Sequence, residues 1–296
     1  ACSVEKCFPL EIFYKSSHSP TFKYLGNSNE RMSDLNVGNT PIVFVNGVHA
    51  KLECTNPCGS IKDRIAKYII EESERKGILK PGMRIVEATS GNTGIALSYF
   101  GKQKGYDVTI VMPEHVTAER KNIIIDLGAE LILTSSEGSF AEAALVRDRI
   151  AEDPRYFNTD QFSNPLNVEC HYMTTAQEII EQLELHRHYL GAFVAGVGTG
   201  GTLIGIAKAL KEVDPDIHIA AVEPAESDVM SGGNPGHHDI VGIGDGFIPA
   251  IAGNGKGGLH NLIEEVITIP SNDAKAAAHY LKHSFNMCVG ISSGAN

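Results

Sequence analysis

Arg84-Ile85-Val86-Glu87-Ala88-Thr89-Ser90-Gly91-Asn92-Thr93-Gly94 is a strand that stops in a glycine-containing turn and passes into a helical stretch over residues 94–104. The second half of the chain repeats this construction. Ala192-Phe193-Val194-Ala195-Gly196-Val197 is a buried-strand run ending in Gly198-Thr199-Gly200-Gly201-Thr202, ahead of a helix over 203–210. Strands that alternate with helices imply parallel pairing, because each crossover helix returns the chain to the same end of the sheet, and they imply sheets covered on both faces. Two such halves predict an α/β fold of two lobes. Each is a mostly parallel twisted sheet covered by helices, with the active site in the cleft between them.

The remaining patterns fit this frame. Pro41-Ile42-Val43-Phe44-Val45 and Val48-His49-Ala50-Lys51-Leu52 flank Asn46-Gly47, a hairpin signal because both turn positions need positive φ. Ile61, Ile65 and Ile69 share one helix face, with Gly77 as its stop. Further strands are expected over 107–112 (ended by Pro113), 130–133, 217–222 and 263–269, and helices over 118–127 and 140–150. Ala176, Ile179, Ile180 and Leu183 line another helix. Ala274, Ala277, Ala278, Leu281 and Phe285 line the last one, before a tail of small residues. Residues 1–36 lack periodicity and read as an N-terminal extension that wraps the body or a partner subunit. The expected partition is 37–52 plus 157–296 as a larger cofactor-binding lobe, and 53–156 as a smaller mobile lobe.

A chain of 296 residues, 42% of them hydrophobic, suffices for a large core. Its net charge of −11 disfavours nucleic acid and anionic membrane, since no basic face offsets phosphate repulsion. No run approaches the ~18 apolar residues of a spanning helix. Residues 1–15 lack the apolar core of a signal peptide. Six cysteines without a Cys-x-x-Cys pair read as reduced thiols of a cytoplasmic protein. Histidines occur in pairs at His186 and His188 and at His237-His238, but without other ligands at metal spacing, so no metal is expected.

The chemistry gathers in three places. The turn Gly198, Thr199, Gly200, Gly201, Thr202 joins a strand to a helix, so backbone N–H groups and the positive end of the helix dipole converge on one point. A phosphate fits there with the threonine hydroxyls as further donors; the alternative is a merely tight turn. The pattern is neither a dinucleotide loop nor a Walker A loop. The Thr89 turn offers hydroxyls and an amide, which suits a carboxylate, or it is a capped turn with Thr89 or Ser90 as N-cap. Lys62 follows Asn56-Pro57-Cys58-Gly59-Ser60-Ile61 at a helix start, where a cation opposes the dipole. That lowers the amine pKa and favours the neutral nucleophile a Schiff base requires. Otherwise Lys62 is a solvated lysine paired with Asp63 or Glu71. A nitrogen nucleophile beside two anion cradles points to pyridoxal 5'-phosphate.

These three motifs, in this order, resemble the cysteine synthase (O-acetylserine sulfhydrylase) and cystathionine β-synthase group of fold-type II pyridoxal phosphate enzymes. The resemblance runs from Gly38-Asn39-Thr40-Pro41 to the last residue. It includes Lys80-Pro81-Gly82, Val111-Met112-Pro113, Asp160-Gln161-Phe162-Ser163-Asn164-Pro165 and Thr174-Thr175. Gly242-Ile243-Gly244-Asp245-Gly246-Phe247-Ile248-Pro249 and Gly290-Ile291-Ser292-Ser293-Gly294 complete it.

The resemblance implies that Lys62 holds the cofactor as an internal aldimine and moves the Cα proton. It implies that Asn92 bonds the ring oxygen, that Gly198, Thr199, Gly200, Gly201 and Thr202 bind the phosphate, and that Ser292 faces the pyridine nitrogen. Thr89, Ser90, Gly91, Asn92 and Thr93, assisted by Gln161, would hold the substrate carboxylate. A hydroxyl opposite the pyridine nitrogen does not enforce its protonation, so the ring is a weaker electron sink and β-elimination is favoured over racemisation or transamination. The implied reaction makes L-cysteine from O-acetylserine and sulfide through an α-aminoacrylate. A homodimer and a complex with serine acetyltransferase are also implied.

Several residues bear on substrate choice. The 242–249 and 290–294 segments resemble the synthase form, whereas Asp160-Gln161 resembles the cystathionine branch. Cystathionine β-synthase, O-phosphoserine sulfhydrylase and β-cyanoalanine synthase activities, and a noncatalytic homologue, are the alternatives. Asp245 near the cleft would repel a phosphate leaving group, or is a plain turn aspartate. Cys58 is either a redox-sensitive thiol, paired in function with Cys54, or a buried space-filler. Cys7 and His18 lack the Cys-Pro pattern that would support a haem. The resemblance implies a family that continues through a further helix past the position of Asn296, so either this sequence is a piece of a longer chain or this member lacks that cover on the Ser292 side.

Overall fold

A computed structural model describes residues 36–89, 91–135, 139–186 and 190–296. The readings made for residues 1–35, Ser90 and His188 lie outside the described residues. β1 (Ile42–Val45) and β2 (Val48–Lys51) form the expected antiparallel hairpin, with Asn46 at φ 48° and Gly47 at φ 89°.

The next elements alternate as anticipated: α1 (Lys62–Arg75), β3 (Arg84–Ala88), α2 (Asn92–Gln103), β4 (Asp107–Pro113), α3 (Ala118–Asp126), β5 (Glu130–Thr134), α4 (Ser139–Ala151) and β6 (Tyr156–Asn158). Their four strands form one parallel sheet in the order β5-β4-β3-β6. Pro113 does not end its strand from outside. It is the last residue of β4, opposite Thr134, where a missing N–H costs the ladder little. β6 is too short to show an alternating pattern, and its pairing with β3 puts residues 157–158 in the sheet of the 53–156 segment.

After β6 the chain enters α5 (Pro165–Cys170), where Asn164 caps the Leu166 N–H and proline takes the first turn. A π-helical turn, His171–Thr175, leads on to α6 (Ala176–His186). There follow β7 (Ala192–Gly196), α7 (Gly201–Val213), β8 (His218–Pro224), β9 (Glu265–Ile269), α8 (Ser271–Phe285) and α9 (Ile291–Ala295). β7-β8-β9 form a second parallel sheet. The small-residue tail is therefore a helix, α9, packed on α8 with its Gly294 against the Ala274 carbonyl.

Two main cores cover these sheets. Ile65, Ile69, Ile85, Leu97, Ile110 and Met112 are buried together around the first sheet, and Leu203, Ile206, Leu210, Ile219 and Ala221 around the second. Each of the leucine, isoleucine and methionine side chains among them contributes about 1.5–3 kcal/mol by leaving water. α5 comes close to α7 because α7 presents glycine at i and i+4. A Cβ at Gly205 would lie 2.5 Å from the Val168 carbonyl oxygen, and one at Gly201 1.9 Å from Asn167 Oδ1. Among the described residues no helix is long and apolar enough to cross a membrane.

Candidate active site

One pocket collects the ends of both sheets. β3 and α2 bring Thr89, Gly91, Asn92 and Thr93; α1 brings Lys62; the β7–α7 turn brings Gly198, Thr199, Gly200 and Thr202; α9 brings Ser292. Gln161 enters from the loop after β6. Of the anticipated site residues that are described, Gly201 alone is not on the lining; it backs the turn against Asn167.

Lys62 opens α1 and is partly buried. Burial pushes its amine pKa down, while the Asp245 carboxylate acts in the other direction. Desolvation is the largest cause of that lowering, and it favours the neutral form of the amine. Neither surface partner claims it. The Asp63 carboxylate accepts the Cys58 N–H, and Glu71 lies 3.6 Å from Lys104. Asp245 lines the pocket and is not a plain turn residue. Its side chain is exposed and lines the pocket, where desolvation raises its pKa against the pull of Lys62 and His238. Cys58 packs, partly buried, against the first core, and burial and the Asp63 carboxylate push its thiol pKa up, which favours the space-filling reading over a reactive thiolate.

The turn after β3 is wired internally. Thr89 Oγ1 accepts the Gly91 N–H at 3.2 Å, while α2 begins after Gly91 without a side-chain cap, so Thr89 is no N-cap. Thr93 Oγ1 donates to Gln161 Oε1 at 2.6 Å, and Gln161 Nε2 donates to the Ala88 carbonyl at 3.3 Å. Behind them Glu87 has no exposed surface. Its carboxylate accepts from Gln161 N at 3.0 Å, Thr159 Oγ1 at 2.5 Å, Ala88 N at 2.8 Å and Arg147 Nη1 at 3.2 Å. Burial raises the Glu87 pKa and Arg147 opposes that rise.

The β7–α7 turn needs its glycines. Gly200 precedes α7 at φ 86°, and a Cβ on Gly198 would sit 2.4 Å from the Gly242 carbonyl oxygen. No side chain caps α7, so its first N–H groups remain available to an anion. An uncapped, glycine-built helix start, a desolvated amine and the Ser292 hydroxyl on one pocket fit pyridoxal 5'-phosphate. Among the described residues no group of three or more His, Cys, Asp and Glu could hold a metal ion.

Sequence reasoning missed several lining residues. Arg120 of α3 lines the pocket near the carboxylate turn, its guanidinium carbon 3.8 Å from where a Gly91 Cβ would lie. Phe140 of α4 and Phe162 also line it, with ring centroids 4.9 Å apart, and Phe247 packs 5.2 Å from Phe162. Phe162 and Phe247 lie in segments that carry the family resemblance, whereas nothing local marks Arg120 or Phe140, whose proximity arises only when separate segments meet.

Parallel sheets, crossover helices, an amine and a phosphate cradle define a pyridoxal phosphate enzyme of two lobes. The family described as pyridoxal-phosphate dependent enzyme matches residues 34–296, and the chain belongs to it. It is 41% identical over 267 residues to a cysteine synthase of Staphylococcus aureus, covering 88% of this chain and 84% of that relative. Among solved structures, the cysteine synthase (OASS) of Entamoeba histolytica matches with a TM-score of 0.82 at 38% identity, over 93% of this chain and 83% of that one. The O-acetylserine-dependent cystathionine β-synthase of Helicobacter pylori matches with a TM-score of 0.80 at 37% identity, over 88% and 85%.

Proposed function

We propose that this chain makes L-cysteine from O-acetylserine and sulfide by pyridoxal phosphate-dependent β-replacement. The observation that carries the reading is the opening of the Lys62 amine, the 198–202 cradle and the 89–93 turn onto one pocket. When bound, the cofactor supplies the electron sink that acidifies Cα–H and lets the Cβ substituent leave. Lys62 Nζ would hold the cofactor and, once freed by the substrate amine that replaces it there, would take the Cα proton and later return it to the same carbon. Gly198, Thr199, Gly200, Gly201 and Thr202 hold the phosphate with N–H and hydroxyl donors. Ser292 would face the pyridine nitrogen and Asn92 the ring oxygen. Thr89, Ser90, Gly91, Asn92, Thr93 and Gln161 receive the substrate carboxylate. Phe140 and Phe162, with Phe247 packed on Phe162, form the apolar part of the site and would limit water at the reacting carbon.

The smaller, mobile lobe in this reading is 53–158, extended by the pairing of β6, and 37–52 with 159–296 forms the larger one. A homodimer and a complex with serine acetyltransferase rest on the family resemblance. A cytoplasmic location is supported by the free thiols Cys54, Cys58, Cys170 and Cys288.

Asp160-Gln161 and the Helicobacter pylori neighbour favour a second reading, in which a larger thiol replaces sulfide and the product is cystathionine. The test is the visible spectrum of the holoenzyme before and after O-acetylserine is added without sulfide. A cofactor band displaced by O-acetylserine and restored by sulfide, with cysteine as product, is the expected result. A band that O-acetylserine leaves unchanged overturns the donor assignment and turns attention to serine and O-phosphoserine.

A further inference from the structure

α5 reaches the site from behind, and its Asn167 has no exposed surface. Asn167 Nδ2 donates to the Gln161 carbonyl at 2.8 Å and to Thr199 Oγ1 at 2.9 Å. The sense of both bonds is forced. A flipped amide would set Oδ1 against the Gln161 carbonyl oxygen, two acceptors facing each other. Since Thr199 Oγ1 accepts a hydrogen bond from Asn167, its own hydroxyl hydrogen is directed elsewhere, and Thr199 lines the pocket. A hydroxyl prepared in this way offers a donor to an acceptor-only dianion.

The same amide fixes Gln161. Glu87 holds the Gln161 N–H, Asn167 its carbonyl, and Thr93 and the Ala88 carbonyl its side chain. We propose that Asn167 is a positioning residue that sets the phosphate cradle and the carboxylate clamp together, through two hydrogen bonds from one amide nitrogen. This rests on the cofactor and carboxylate roles given above.

A further observation speaks against a space-filling role. Asn167 Oδ1 is buried without a hydrogen-bond partner, against the bare α-carbon of Gly201. An unpaired buried amide oxygen is unfavourable, and a leucine of similar size would avoid it. The fold tolerates the orphaned oxygen where the nitrogen serves two segments of the site.

The test is a double-mutant cycle. Asn167→Leu removes both donors and Thr199→Val removes the hydroxyl. Asn167→Leu is expected to weaken pyridoxal phosphate binding by the apoenzyme about tenfold, and to raise the KM for O-acetylserine about tenfold with kcat within about threefold. In the Thr199→Val background, Asn167→Leu should cost no further cofactor affinity yet still raise KM. Cofactor losses that multiply, or an unchanged KM, overturn the proposal. Asn167→Asp, nearly isosteric and unable to donate when ionised, should reproduce both effects if the leucine variant does not fold. If neither folds, a crystal structure of the wild-type holoenzyme decides: Asn167 Nδ2 must contact both Gln161 and Thr199, with Thr199 on the phosphate, and an Asn167 turned from either overturns the inference. Wild-type protein that binds no pyridoxal phosphate would sink the cofactor roles, and this inference with them.

Discussion

Arg64 of α1 grips Glu178 of α6 through both terminal guanidinium nitrogens, at 2.7 and 2.8 Å, two residues beyond Lys62. The same guanidinium holds Glu53 at 2.6 and 2.8 Å, and Lys51 adds a contact to Glu178 at 2.9 Å. The helix that carries Lys62 is thereby tied to an element from the other half of the chain. Arg64→Met leaves two largely buried carboxylates without their main partner, and should cost about 3–5 kcal/mol of stability. Urea unfolding measures it; a loss below about 1 kcal/mol would show that the cluster is no better than a surface pair.

Lys62→Ala should abolish turnover while the far-ultraviolet circular dichroism and the unfolding midpoint stay near those of the wild type. A variant that keeps wild-type rates would end the proposed mechanism.

Asp63 has no exposed surface, and burial raises its carboxyl pKa from 3.8 to about 7, against the pull of the Cys58 N–H. Between those values the folded protein keeps a proton that the unfolded chain has released, so this group's contribution to stability falls as pH rises. The limiting slope is about 1.4 kcal/mol per pH unit. Asp63→Asn removes the titration. The stability of the variant relative to the wild type should therefore climb from pH 4 to pH 7 and level off above. Parallel stability curves would contradict the assignment.

Asp245 faces the pocket with Lys62 among its neighbours. Its negative charge disfavours a phosphate leaving group, so Asp245→Ala should raise kcat/KM for O-phosphoserine relative to O-acetylserine by about tenfold, equal to roughly 1.4 kcal/mol. Because burial raises the Asp245 pKa, wild-type discrimination should weaken as the medium is acidified and the carboxyl takes up its proton. An unaltered ratio in the variant would return Asp245 to a structural role.

The parts of the site that were legible in the sequence are those whose chemistry is local. Gly200 and Gly198 announce themselves because a left-handed turn and a close approach exclude a Cβ, and Lys62 because it follows such a turn. The strand-turn-helix units were readable from apolar runs that end in glycine. Arg120, Phe140 and Asn167 were not, since each sits in an ordinary helix and acquires its role only through a neighbour distant in sequence. β6 escaped notice because three residues carry no period, and α9 because Ser292, Ser293 and Gly294 are poor helix formers that are held by packing on α8.

The bond from Thr93 to Gln161 has a consequence for recognition. In the proposed clamp, a carboxylate that receives the Thr93 proton must first take it from Gln161, so that contact is an exchange of partners and not a gain in their number. Discrimination then comes from the difference between an ionised acceptor and an amide one. The clamp should sort ligands by charge more sharply than by shape, and primary amides of its amino-acid substrates, which fill the same space, should compete poorly for it.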